Sequence, residues 1–222
     1  MVKRNKKIFV GMSGGVDSSV AAYLLKKAGY NVTGVFLNSY NVDGCALEDA
    51  SMARRAAAHL KIPFYVLDVE NEYRNKVVDY MIDGYRKGET PNPDVMCNRE
   101  IKFGVFLKHA LALGADFIAT GHYTYTYNNN FYEAKDESKD QSYFLWGIDK
   151  LARDKIIFPL GEMLKSEVRV MAKKIGLPNA KKKDSQGICF LGKVKLEDFL
   201  SEYIPRKIGE IQDTNGVINC SI

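Results

Sequence analysis

The tightest constraint in this sequence is the glycine-rich turn at 11–19, Gly11-Met12-Ser13-Gly14-Gly15-Val16-Asp17-Ser18-Ser19. The apolar run Ile8-Phe9-Val10 enters it, and a stretch with Val16, Val20, Ala21, Leu24, Leu25 and Ala28 at helical spacing leaves it, ended by Gly29. A strand that hands over to a helix through such a turn offers unpaired backbone N–H groups and a partial positive charge, which suits a polyphosphate. Gly14 and Gly15 allow close backbone approach and positive φ, and Ser13 and Ser18 add hydroxyl donors. No lysine follows the glycines, so this is not the lysine-bearing loop of ordinary phosphoryl-transfer ATPases. A plain turn capped by Ser13 or Asp17 satisfies the local pattern but leaves the paired glycines without a purpose. Asp17 beside phosphates requires a divalent cation between them.

The rest of the chain repeats the same unit. Strands are predicted at 32–37, 63–69 and 115–120, with helices over 46–60, 73–85 and 101–113. This alternation predicts an α/β fold: a doubly wound, mostly parallel sheet with helices on both faces and a ligand crevice at the carboxyl ends of the strands. Residues 89–100, with Pro91 and Pro93 and no amphipathic period, read as a loop. Alternation around Asn128-Asn129-Asn130 suggests a hairpin. An apolar helix is expected over 143–148, a short strand at 156–161, helices over 165–175 and 196–203, and loop or strand from Pro205.

At 222 residues, with 46% hydrophobic residues, one good core can form. The net charge of +5 permits nucleic acid as a partner without demanding it. No apolar run reaches membrane-spanning length, and the basic start runs straight into the first strand without a signal-peptide core, so a cytoplasmic location with no membrane partner is expected. The four cysteines, Cys45, Cys97, Cys189 and Cys220, form no CxxC pair, which argues against a zinc site.

Asp94 and Cys97 share the proline-stiffened stretch. Taken alone they fit an aspartate capping the next helix over a packed cysteine as well as a proton shuttle beside a nucleophilic thiol. Cys45 and Cys220 read as packing residues, His122 as a structural or pocket-wall group, and Trp146 with the tyrosines at 123–127 as core or hairpin packing.

SGGVDS resembles the pyrophosphate loop of the ATP pyrophosphatases, which split ATP into AMP and pyrophosphate while adenylating an acceptor oxygen; their fold is the adenine nucleotide alpha hydrolase-like sheet. TPNPDVMCNREIKF at 90–103 resembles a signature of the tRNA 2-thiouridylases, which replace the C2 oxygen of the wobble uridine (position 34) with sulfur. The resemblance recurs in order at ATGHY, KDQSYFLW, FPLGE and KKDSQGICFLG. It implies that ATP, with Mg2+, binds at Gly11, Met12, Ser13, Gly14, Gly15, Val16, Asp17 and Ser18, with Leu37 and Gly121 lining the pocket. It implies that Cys189 carries a persulfide, that Cys97 is the partner thiol and forms a disulfide with it during turnover, and that Asp94 is the general acid or base. Asn92, Pro93 and Asp94 would border the target base, and Lys139, Asp140 and Gln141 would contact tRNA. No resident metal site is implied. The sulfur would come from a persulfide donor protein, a cysteine desulfurase or a relay.

On the same resemblance, 1–204 is an N-terminal ATP-pyrophosphatase catalytic domain and 205–222 a truncated start of the central domain. Two other readings compete: an ammonia-using ATP pyrophosphatase, which would not need Cys97 or Cys189, and a truncated relic that binds nucleotide or tRNA without turnover. Cys97, Cys189 and Asp94 would also suit an iron–sulfur centre.

Overall fold

The computed structural model describes residues 5–42, 44, 46–184, 190–192, 194–206, 210–212, 214 and 218–221. Its centre is a five-stranded sheet built from β1 (Lys7–Gly11), β2 (Asn31–Asn38), β3 (Phe64–Asp68), β4 (Phe117–Ala119) and β7 (Ile156–Ile157). All the pairings are parallel, and the spatial order is β3-β2-β1-β4-β7. The chain winds outward from β1 to β3, then returns to the other side of β1. That reversal opens a crevice between the carboxyl ends of β1 and β4, where ligands bind in such sheets.

The period of two in β1 sorts its side chains between faces. Ile8 and Val10 enter one core with α1 (Val16–Lys27), α2 (Ala46–His59) and α5 (Lys165–Lys174). Phe9 enters the other, with Phe103, Phe106 and Leu107 of α4 (93–112). Both faces of the central strands are therefore buried, as a parallel sheet requires. A third cluster lies beyond the carboxyl ends of β2 and β3, where α3 (70–86) meets the start of α4 and α6 (Leu196–Ser201). The hairpin is present as β5 (Tyr125–Tyr127) and β6 (Asn130–Tyr132). A second short hairpin pairs β8 (Glu210–Gln212) with β9 (Ile218–Ser221).

Three expectations are corrected. The stretch at 89–100 is not a loop throughout, because α4 starts at Pro93 and runs unbroken through Pro93–Met96, Cys97–Val105 and Phe106–Ala112. Pro93 at the first position favours a helix start, and Asn92 caps it, its Oδ1 accepting from the N–H groups of Asp94 and Val95 at 3.1 Å each. The Cys97–Val105 segment is a π-helix. Its wider turn breaks the 3.6-residue period, which hid it from the sequence pattern. The apolar segment at 143–148 forms only a 3₁₀ turn at Ser142–Phe144, held by the Ser142 hydroxyl donating to Asp140 at 2.7 Å. Trp146 is not core: it is 71% exposed, as Tyr127 and Tyr143 are largely exposed. Tyr123 alone of that group is buried at 2%.

Candidate nucleotide and thiol site

The glycine-rich turn at 11–18 sits at the crevice. Met12 donates its N–H to the Val35 carbonyl at 2.8 Å, extending the sheet one residue past β1. Beyond it the chain turns, with Gly14 at φ +77°. A side chain at Gly14 would collide with the Asp49 carbonyl on α2. Gly15 is the N-cap of α1 and has no side-chain cap, so neither Ser13 nor Asp17 takes that role. Ser18 instead organises the loop: its Oγ accepts from the Ser13 N–H at 3.2 Å and donates to the Gly15 carbonyl at 3.2 Å. Gly121, just past β4, closes the crevice. A Cβ there would lie 2.6 Å from the Ser18 nitrogen and 2.8 Å from the Asp17 carbonyl carbon, so only glycine lets the turn after β4 approach the first turn of α1. Leu37, next to last in β2, is half-buried and packed against both the second and third clusters.

Asp17 has a cationic partner of its own. Lys165 Nζ donates to both Asp17 carboxylate oxygens at 2.7 Å, and lies 2.8 Å from Asp184. Tyr123 donates its hydroxyl to Asp17 at 2.9 Å. Burial, and then the Asp17 charge, push the Tyr123 phenol far up, so it stays a donor. Asp184 is also gripped by Arg169 at 2.5 Å and Lys139 at 3.3 Å. Burial pushes its carboxyl up, but the Lys165 hydrogen bond and the surrounding cations outweigh this and hold it below the usual carboxylate range. Lys182 pairs with Asp49, and Arg169 also donates to the Lys182 carbonyl. The segment at 179–184 is thereby strapped to the glycine-rich turn and α2.

The sequence reading missed Lys165, Asn179 and Asp184. Lys165 left one signal: a lysine in the first turn of a helix sits where the macrodipole favours anions, which is rational only if a carboxylate faces it. Asn179 after Gly-Leu-Pro looks like any turn residue.

On α4, Asp94 and Cys97 lie one turn apart. Burial raises the Asp94 carboxyl above its ordinary range, against the opposing charge of Lys102. Asp94 does not cap the helix; Asn92 does. Cys97 is 3% exposed and belongs to the third cluster with Met96, Tyr73 and Phe190. Pro93 is buried and Asn92 exposed. His122 is buried, its Nδ1 2.7 Å from the Thr120 hydroxyl, with its ring against Phe103 and Phe158. Burial, then the Lys102 charge, pull its pKa well down, so it is a neutral wall group.

Lys139 faces Asp184. Asp140 accepts from the Ala134 N–H at 2.8 Å, and Gln141 Oε1 accepts from the Tyr123 N–H at 3.0 Å, so both side chains anchor the β5–β6 hairpin. Cys45 and Cys189 lie outside the described residues, and nothing is described of the Cys220 side chain. Among the described residues no three His, Cys, Asp or Glu side chains cluster as a metal site, and no helix is long and apolar enough to cross a membrane.

The family model described as the tRNA methyl transferase HUP domain matches residues 6–193. The chain is 48% identical over 232 residues to the tRNA-specific 2-thiouridylase MnmA of Oceanobacillus iheyensis, covering 99% of this chain and 62% of that protein. It is 51% identical over 222 residues to the enzyme of the same name from Akkermansia muciniphila, covering 95% and 62%. The chain thus spans about three-fifths of the length of these curated relatives. Among solved structures, a 4-thiouridine synthetase–RNA complex with bound ATP aligns at TM-score 0.53 and 21% identity, covering 85% of this chain and 46% of that one. NMN synthetase from Francisella tularensis aligns at TM-score 0.51 and 19% identity, covering 82% and 67%. These two likenesses show a shared fold.

Proposed function

The chain belongs to the tRNA methyl transferase HUP-domain family, with the tRNA-specific 2-thiouridylases as its curated relatives, and from that premise we propose that it catalyses ATP-dependent 2-thiolation of tRNA uridine. The observation that carries the reading is the third cluster. Cys97 shares it with Phe190, which packs edge-on to Tyr73 at 5.8 Å and accepts the Val42 N–H at 3.1 Å. Phe190 is the chain neighbour of Cys189. Cys97 thus shares a buried cluster with a residue of the KKDSQGICFLG motif, far away in sequence, which supports the reading.

The chemistry follows from what each group can do. The loop at 11–18 holds the ATP phosphates on backbone amides, and Leu37 and Gly121 border the adenosine. Magnesium would enter with the nucleotide, bound mainly through the phosphates, and Asp17, paired with Lys165 and Tyr123 in this structure, is the loop carboxylate that would meet it. The uridine C2 oxygen displaces pyrophosphate from the α-phosphorus, which makes that oxygen part of a good leaving group. The terminal sulfur of a Cys189 persulfide, loaded by a protein donor, attacks C2 and expels AMP. The Cys97 thiolate then attacks Cys189 Sγ, breaking the S–S bond and leaving the sulfur on C2. The resulting Cys97–Cys189 disulfide is reopened by a thiol reductant. Asp94, with its raised pKa, is suited to move a proton at this stage. A target base already in an unstacked loop costs little to extrude. The site of action of such an enzyme is the cytoplasm.

The decisive experiment incubates the protein with ATP, magnesium, tRNA and a cysteine desulfurase with cysteine as the persulfide donor, and looks for 2-thiouridine by mass spectrometry of the nucleosides. Absence of both 2-thiouridine and tRNA-dependent pyrophosphate release would overturn the reading. Pyrophosphate release that depends on ammonia, needs no tRNA and survives loss of either thiol would favour the ammonia-using alternative.

Two further outcomes are expected. Asp94→Asn should reduce thiolation about 100-fold, the scale of a lost acid–base group. Because burial disfavours the Asp94 charge, the folded pKa is raised, and stability is lost as pH rises through it. The same variant should therefore melt higher than the wild type at pH 7 while working worse. The second outcome concerns a groove of about 710 Å³ lined by Tyr125, Tyr132, Ser142, Tyr143, Trp146 and Arg153. Exposed rings beside a guanidinium suit unpaired RNA bases. Trp146→Ala should weaken tRNA binding about fivefold in a filter-binding assay, within the range of one lost stacking contact, with ATP affinity unchanged.

A further inference from the structure

We infer that Asn179 is a positioning residue for the nucleotide phosphates: it holds the Gly15 and Val16 N–H groups of the phosphate loop turned toward the ligand. The inference rests on the nucleotide-binding part of the reading above and goes beyond it, because it assigns a role to a residue outside every motif of the sequence.

Asn179 is 1% exposed. Its Nδ2 donates to the Gly14 carbonyl at 3.0 Å, to the Gly15 carbonyl at 2.9 Å and to Ser19 Oγ at 2.9 Å. Ser19 passes its own proton to the Gly15 carbonyl at 3.0 Å, so its lone pair is available to Asn179. The opposite amide orientation would set an oxygen against two carbonyl oxygens, so the chemistry fixes which way the side chain points. Asn179 Oδ1, meanwhile, has no partner among the described residues. A buried amide kept with an idle acceptor is there for its donors.

Peptide planarity converts this grip into a direction. In a trans peptide the C=O and the following N–H point opposite ways. Drawing the Gly14 and Gly15 carbonyls toward Asn179 therefore turns the Gly15 and Val16 N–H groups to the other side. The Gly15 N–H meets only Ser13 Oγ there, at a long 3.4 Å, which a phosphate oxygen can displace. Two consecutive glycines are the backbone least able to set their own direction, so an outside pin has the most to do at this point. Asn179 is well anchored for that duty. It follows α5, whose first residue Lys165 grips Asp17, so one ten-residue helix carries a hold on each side of the loop.

The test compares ATP with adenosine, which lacks every group the loop would bind. Equilibrium dialysis on the full chain would measure both ligands for the wild type, N179D and N179A, with circular dichroism melts to confirm folding. N179D puts an acceptor against two carbonyls and should weaken ATP at least tenfold; N179A should weaken it severalfold. Adenosine affinity should stay within twofold in both. Equal loss for ATP and adenosine, or no loss for either, would overturn the inference while leaving the nucleotide reading intact. A wild-type chain that binds no ATP would overturn both, and is recognised at the first measurement. Should N179D fail to fold, N179A and N179S carry the same comparison.

Discussion

Cys97→Ser should abolish formation of 2-thiouridine, by at least 1,000-fold, while ATP affinity and tRNA-dependent pyrophosphate release stay within about twofold of the wild type. The split follows from where the thiol sits. Cys97 lies on α4 in the third cluster, whereas the phosphate loop is built from β1, α1 and the turn at Gly121. Serine is close to cysteine in size, so a 3% exposed position loses little packing. What it loses is the nucleophile: a hydroxyl does not ionise near neutral pH and cannot close a disulfide. The tRNA should then be trapped on the protein, its C2 joined through the transferred sulfur to Cys189 Sγ, detectable by mass spectrometry as a tRNA–protein disulfide with AMP already released. Cys189→Ser should be equally inactive but stop one step earlier, with the uridine still carrying AMP, and the double variant should be no worse than either single one, because losses along one reaction path are not additive. If instead Cys97→Ser slows pyrophosphate release as much as it slows thiolation, the thiol belongs to the nucleotide step and the proposed division of labour fails.

The strand–turn–helix at 8–28 and the parallel alternation were legible because each follows from one chemical regularity: a period of two or of 3.6, punctuated by glycine. Gly121 was expected in the pocket from its motif, and the structure shows why a glycine stands there: the turn after β4 touches the backbone of α1. Residues 93–100 were misread because prolines signal loops, whereas Pro93 stands at the single helical position that welcomes it. The π-segment at Cys97–Val105 then removed the period that would have corrected the error. Trp146 was misread because apolar character alone does not say which way a short 3₁₀ segment faces. Lys165 and Asn179 were invisible for a different reason. Their meaning lies in partners far along the chain, Asp17 for one and the Gly14 and Gly15 carbonyls for the other, and no local pattern encodes a pairing across the fold.

That long-range pairing yields the second large effect. Lys165→Met should lower stability by about 2–3 kcal/mol and weaken ATP binding by about two orders of magnitude. The Lys165 side chain is 13% exposed and bridges two carboxylates, Asp17 and Asp184. Removing one member of a buried pair costs about 3–5 kcal/mol, and the partial exposure of both aspartates reduces that figure. Methionine keeps the length and apolar stem, so the loss is one of charge. Two carboxylates without their shared ammonium then repel each other, and Asp17 adds uncompensated negative charge where phosphates must dock. The pH dependence separates this account from simple misfit. Asp184 has a folded pKa held below its unfolded value, so its contribution is present above the unfolded pKa and is lost as pH falls through the folded one. The gap between wild type and variant should therefore be full at pH 7 and shrink below about pH 4, as the carboxylates protonate in both proteins. Denaturant melts at pH 7, 5 and 3.5 would measure it. A gap that stays constant across that range would mean that the lysine acts through packing, and that the phosphate loop owes nothing to its charge.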